Sequence, residues 1–167
     1  MARLYTKDET PLWASLGLYV RVVKLLLSRS DVNPDKPDEN GRTPLWWASD
    51  SGRGAVAELL LAKNNVSPDR SDNYGQAPLL RACFCGSEEV VRLLLERHDV
   101  NPSKPDYRGQ TPLSLASSGY GYPSKDGIVR LLLERTSESS RLVTAVEPAF
   151  SPYPYDLGTK PDWYPSP

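Results

Sequence analysis

The chain has 167 residues, enough for one ordinary domain core, and its 39% hydrophobic and 25% charged residues place it among folded proteins and exclude a polar disordered tract. Its 20 Lys and Arg alternate with 21 Asp and Glu along the whole length, for a net charge of -1, so no basic patch for phosphates is expected and nucleic acid is not an expected partner. The opening MARLYTKDET lacks the apolar core of a secretion signal, and no apolar run is long enough to span a bilayer; a cytoplasmic monomer without membrane association is therefore expected.

Taken from the N-terminus, the chain repeats itself. Thr10-Pro11-Leu12, Thr43-Pro44-Leu45, Ala77-Pro78-Leu79 and Thr111-Pro112-Leu113 recur at steps of 33, 34 and 34 residues. Triple leucines beginning at Leu25, Leu59, Leu93 and Leu131 follow at 34, 34 and 38. Such a period decides the architecture before any local reading does. The first unit, about residues 5–37, is one residue shorter between its two markers and lacks a turn signal that the others share, which suggests a degenerate end repeat or the edge of a longer array.

The second unit, about 38–71, shows the pattern in full. Asp38-Glu39-Asn40-Gly41 reads as a turn, because Gly41 tolerates positive φ and Asp and Asn bond nearby backbone. Thr43 then caps a helix with Pro44 at its first position, running to about Ser51 and stopped by Gly52. A second helix from about Ala55 to Lys63 carries Val56, Leu59 and Leu60 on one face, and Asn65 to Asp69 breaks it. The third unit, about 72–105, has Ala77 where the cap should be, at a cost of about 1 kcal/mol in local helix stability. The fourth, about 106–136, carries extra residues from Gly119 to Gly127 between its helices. Residues 137–146 are read as a short capping helix. Residues 147–167 form a tail with six prolines and five aromatics, which cannot be helical and is expected to pack back on the repeats.

A helix pair this small cannot bury its apolar face alone, so the units must stack, with Leu60 and Leu94 in the shared core. Ala48, Ala82 and Ala116 are small so that the paired helices can approach closely. The fold class is thus an all-α solenoid of about four helix-turn-helix repeats with a C-terminal extension.

The turns Asp38-x-x-Gly41, Asp72-x-x-Gly75 and Asp106-x-x-Gly109, each followed by a Pro-Leu pair, a small residue and a leucine-rich second helix, resemble the ankyrin repeat. The Val32-Asn33-Pro34-Asp35 loop and its counterparts look like the variant common in fungal proteins. The family usually places His after Thr-Pro-Leu; here Trp13, Trp46, Leu80 and Ser114 stand there. The resemblance implies partner binding through turn tips and the exposed face of each first helix.

Chemistry of other kinds is poorly supplied. The single histidine, His98, reads as a helix C-terminal partner, and Cys83 and Cys85, two apart on a helix, suit neither a mutual disulfide nor a zinc site. Asp31 to Asp35 begins like a calcium loop, but the required Gly is Lys36 and the twelfth-position Glu is Arg42. No catalytic residue, metal or cofactor is expected.

The expected partner surface comprises Arg42, Trp46, Trp47, Asp50, Tyr74, Gln76, Arg81, Phe84, Tyr107, Arg108, Gln110, Tyr120 and Tyr122, with Glu39, Asn40, Ser51, Asn73, Cys85 and Ser118 beside them. Tyr and Arg suit interface hot spots. Trp46 and Trp47 differ by about 100° around a helix, so one of them should border the groove. A protein-binding module is the leading expectation. A small-molecule binder or unusual enzyme, with a pocket closed by the tail and Tyr120 to Tyr122, and a recognition segment of a larger fungal sensor are its rivals.

Overall fold

Each repeat is set by its turn, and the turn by one carboxylate. Asp38 Oδ1 accepts the backbone N–H groups of Asn40 and Arg42 at 2.9 Å, and the Asp38 N–H donates to the Arg42 carbonyl at 3.0 Å. Asp72 and Asp106 do the same one and two repeats later. The chain can close this tightly only if the fourth residue takes a left-handed conformation. Gly41 and Gly75 do so, at φ 76° and 80°. At Gly75 a side chain is also barred by space, because a Cβ there would lie 2.7 Å from the Tyr107 ring of the next turn.

The computed structural model describes residues 20–118 and 125–146, and the expected first helix at Thr10 lies outside them. Seven helices follow in order: α1 (Val20–Leu27), α2 (Pro44–Asp50), α3 (Gly54–Leu61), α4 (Pro78–Cys85), α5 (Glu88–Leu95), α6 (Pro112–Ser117) and α7 (Asp126–Val146). Among the described residues there is no strand. First helices α2, α4 and α6 stack on one another, second helices α1, α3, α5 and α7 form the parallel layer, and each first helix also packs on its own second helix.

The cap chemistry distinguishes the repeats as the sequence suggests. Thr43 Oγ1 accepts the Trp46 N–H at 3.2 Å, and Thr111 and Ser114 form a reciprocal capping box, whereas Ala77 caps α4 with no side-chain bond. Pro44, Pro78 and Pro112 each begin a helix, where the missing N–H has no intrahelical partner to lose.

One continuous core runs through the stack. Leu60, Leu94 and Leu132, the middle members of three triple leucines, are fully buried, and Ala48, Ala82 and Ala116 are buried where the helices approach. Fully burying one such leucine contributes roughly 1.5–3 kcal/mol relative to leaving it exposed. Between repeats the turn tips add a backbone ladder, with Asn73 N–H donating to the Asn40 carbonyl at 2.9 Å and Tyr107 N–H to the Tyr74 carbonyl at 3.1 Å.

The extended loops on the far side are joined by charge. Arg70 lies 3.5 Å from Asp35, and Lys104 lies 3.2 Å from Asp69 while donating to its backbone carbonyl. Asn33 Oδ1 accepts the Asp35 N–H and Asn101 Oδ1 accepts the Ser103 N–H, which is turn capping of the kind these residue types favour. Burial pushes the Asp69 carboxyl above its usual range, opposed by the Lys104 ammonium.

Residues 137–146 do not make a separate short helix. They continue α7, which runs unbroken for 21 residues, or about 31 Å at 1.5 Å per residue, where α3 and α5 have eight residues each. The tail from residue 147 lies outside the described residues.

Candidate partner-binding face

The exposed edge of the first helices is built in register. Successive repeats bring Asn40, Tyr74 and Arg108 to the turn tips, Trp47, Arg81 and Leu115 to the second position after Pro-Leu's leucine, and Asp50, Phe84 and Ser118 to the helix ends. Because equivalent positions line up down the stack, the side chain chosen at each repeat decides whether the edge is filled or hollow.

At α2 it is filled. Trp46 is 3% exposed and meets Trp47 edge to face, with ring centroids 5.2 Å apart at 74°. Trp47 is half-buried, and its indole N–H donates to Asp38 Oδ2 at 3.1 Å. The two tryptophans thus divide, Trp46 buried and Trp47 half-buried, and neither lines the groove beside α6. The assignment of Trp46 to the contact surface is corrected: its ring lies beneath two guanidiniums, Arg42 at 4.6 Å and Arg81 at 5.0 Å from the centroid, and works as their support. Its indole N–H is buried without a hydrogen-bond partner.

Arg42 also spans 5.2 Å to the Trp47 ring and approaches the buried Asp72 carboxylate of the next turn at 3.9 Å. Arg81 is held from two sides. Its guanidinium pairs with Asp50 of the preceding repeat, Nε donating to Oδ1 at 3.1 Å, and its face lies 4.7 Å from the Phe84 centroid. Rings and cations therefore alternate from Trp47 through Arg42, Trp46 and Arg81 to Phe84, a chain of contacts each worth about 0.5–2 kcal/mol.

At α6 the edge is hollow among the described residues. Where α2 carries Trp46, Trp47 and Asp50, α6 carries Ser114, Leu115 and Ser118. A groove of about 800 Å³ opens there, lined by Asp50, Ser51, Gly52, Phe84, Cys85, Ser87, Arg108, Gln110, Leu115 and Ser118. Leu115 is its buried floor, and Phe84, 44% exposed, is the ring along its wall. Cys85 Sγ lies 3.6 Å from Asp50 Oδ1, and burial first and the Asp50 charge second raise its pKa. Cys83, one turn face away, is buried in the core and pushed up to about 12 by that burial. Both thiols are free.

Among the other expected contacts, Glu39, Asn40, Asn73, Tyr74, Tyr107, Arg108 and Gln110 are exposed, Tyr107 more fully than Tyr74, while Gln76 is half-buried. Tyr120 and Tyr122 lie outside the described residues. Leu115, Ser87 and Gly52 line the groove without having been singled out from the sequence; the register of Leu115 with Trp47 and Arg81 was the signal that could have found it. Lys125 was missed too. It is 7% exposed and its ammonium donates to the carbonyls of Phe84 at 3.0 Å and Leu115 at 3.4 Å, tying the ends of α4 and α6 together beneath the groove. His98 lies in the loop after α5, 3.4 Å from Arg135 of α7.

No described helix is long and apolar enough to cross a membrane. Among curated proteins no relative matches this chain. A family model described as ankyrin repeats, in three copies, matches residues 2–72 and 64–141. The Asp-x-x-Gly turns, the Pro-initiated first helices and the stacked leucine-rich second helices lie within those matched spans, and the chain belongs to the ankyrin repeat family, whose members are generally protein–protein interaction modules.

Proposed function

We propose that the face formed by the turn tips and first helices of the second to fourth repeats binds a segment of a protein partner, with the groove beside α6 as its anchor point. The observation that supports this most is a recess of about 800 Å³ with exposed Phe84 in its lining, on a face whose turn tips carry the exposed Tyr74 and Tyr107. Interface energy concentrates where an aromatic or arginine borders a pocket that excludes water. Arg81, held by Asp50 and two rings, presents a guanidinium whose ordering cost is partly met before binding, and Arg108 adds a second cation at the groove wall.

The reading is tested by cross-linking capture from extracts of the source organism, comparing wild type with Phe84→Ala and with Tyr74→Ala/Tyr107→Ala. A partner held by the wild type and lost from both variants, with the helix content unchanged, supports the face. A partner retained by both variants places the interaction elsewhere.

A further inference from the structure

We infer that the groove beside α6 takes the C-terminal segment of this same chain, residues 147–167, so that a partner using this face must displace it. The inference shares its groove with the function proposed above but needs no partner, and either can fail alone.

The chain length permits it. Twenty-one residues follow Val146, and in polyproline geometry they reach on the order of 65 Å at about 3.1 Å per residue. The portion of α7 beyond Leu133, 13 residues, carries the start of that segment only about 20 Å past the ends of the other second helices. The tail can cover that distance back and still lie along the groove.

The chemistry fits on both sides. Pro148, Pro152, Pro154, Pro161, Pro165 and Pro167 favour extended backbone and leave the segment with more carbonyl acceptors than N–H donors. The groove offers the reverse: Arg108, Gln110 and the Ser87 hydroxyl can donate. Its apolar surface, Phe84 and Leu115, suits the rings of Phe150, Tyr153, Tyr155, Trp163 and Tyr164, and proline-rich segments dock aromatic-lined grooves with little entropy left to lose. Glu147, Asp156 and Asp162 outnumber Lys160 in the tail, which complements Arg108, while Asp50, the acidic residue of the groove lining, is paired with Arg81. Tethering supplies the rest, because a short flexible connection holds its end at an effective concentration of about 1 mM.

Cys85 provides a probe inside the groove. Alkylation of Cys85 by a maleimide is followed by mass spectrometry on the full chain and on a full-length variant with the five tail aromatics changed to Ser. With about 1 mM effective concentration and a dissociation constant of about 0.2 mM, covering slows labelling roughly sixfold, so the variant should react roughly sixfold faster, independent of protein concentration. Hydrogen exchange on the full chain supplies the second measurement: tail amides should exchange more slowly than in the isolated 147–167 peptide, and Phe84→Ala or Arg108→Ala should return them to the peptide rate while α5 stays protected. Equal Cys85 rates in wild type and variant, together with tail amides at the peptide rate, overturn the inference. A rate difference that vanishes on dilution overturns it in favour of the groove of a second copy. A loss of thermal stability in the tail variant without a change at Cys85 overturns it in favour of a tail that caps the stack.

Discussion

The second and fourth repeats share a turn, a threonine cap, a proline at the first helical position and a buried middle leucine, yet one has a filled edge and the other a hollow one. In α2 two tryptophans, with Arg42 and the neighbouring Arg81 laid over them, occupy the space; in α6 the same positions hold Ser114 and Leu115. One scaffold accommodates both choices, because the leucines and alanines between helices form a continuous core beneath either edge. Repetition thus separates two tasks that most folds mix: the buried register holds the stack, and the edge register shapes the surface.

The largest expected effect is at the filled edge. Trp46→Ala should cost about 3–5 kcal/mol in denaturant unfolding, since it removes a buried indole and the support of two guanidiniums. Trp46→Phe should cost less than half as much, as it keeps a ring under Arg42 and Arg81 and deletes a buried N–H that has no partner. A loss under about 1 kcal/mol for Trp46→Ala would mean that α2 is not packed as described.

The deeper layer should treat the two repeats alike. Leu60→Ala in the second, Leu94→Ala in the third and Leu132→Ala in the fourth are each expected to cost about 2–5 kcal/mol, all three side chains being buried to within 1%. A fourth-repeat loss far smaller than the other two, below about 1 kcal/mol, would break the comparison by showing that α7 does not share the common register.

How much of this could be read beforehand follows the same division. The period, the turns and the leucine register were legible because each is a local signal repeated in phase, and Ala77 was legible as a missing cap because its neighbours carry Thr43 and Thr111. Edge features were legible only in part. That Trp46 turns inward and Trp47 outward depends on Arg81 arriving from the next repeat, 35 residues along. The groove is the absence of bulk at Ser118, where the two preceding repeats carry Asp50 and Phe84, which no motif announces. Lys125 was hidden inside an insertion, and the length of α7 was hidden by the Ser and Thr residues between Thr136 and Ser140, types that compete for backbone bonds and usually mark helix ends.

Between the compared repeats stands the third, which has their turn without their cap. Ala77→Thr should restore an acceptor for the Leu80 N–H and stabilise the protein by about 0.5–1 kcal/mol, because the backbone at Ala77, φ -77° and ψ 159°, already matches that of Thr43 at -79° and 165°. Equilibrium unfolding checks it, with Thr43→Ala as the mirror experiment. A gain at 77 without a comparable loss at 43 would show that the caps are not equivalent in the two repeats.

The smallest expected effect is at the hollow edge, and it tests the comparison from the opposite side to Trp46→Ala. Ser118 is exposed, closes α6 with right-handed helical backbone at φ -73° and ψ -3°, and lines the groove across from Phe84. Among the described residues its hydroxyl bonds the Leu115 carbonyl at 2.9 Å, and surface hydrogen bonds of this kind contribute little because water replaces them. Ser118→Phe adds a ring where no described side chain is packed, without displacing a core atom, and the apolar surface it covers on Phe84 offsets the lost bond. The change in unfolding free energy should therefore stay within about 0.5 kcal/mol, although the introduced side chain is the same size as one whose insertion into a packed core costs about 1–3 kcal/mol. A destabilisation above about 1 kcal/mol would mean that the space beside α6 is already occupied by packed side chains, and the edge of the fourth repeat would then be filled as the second is.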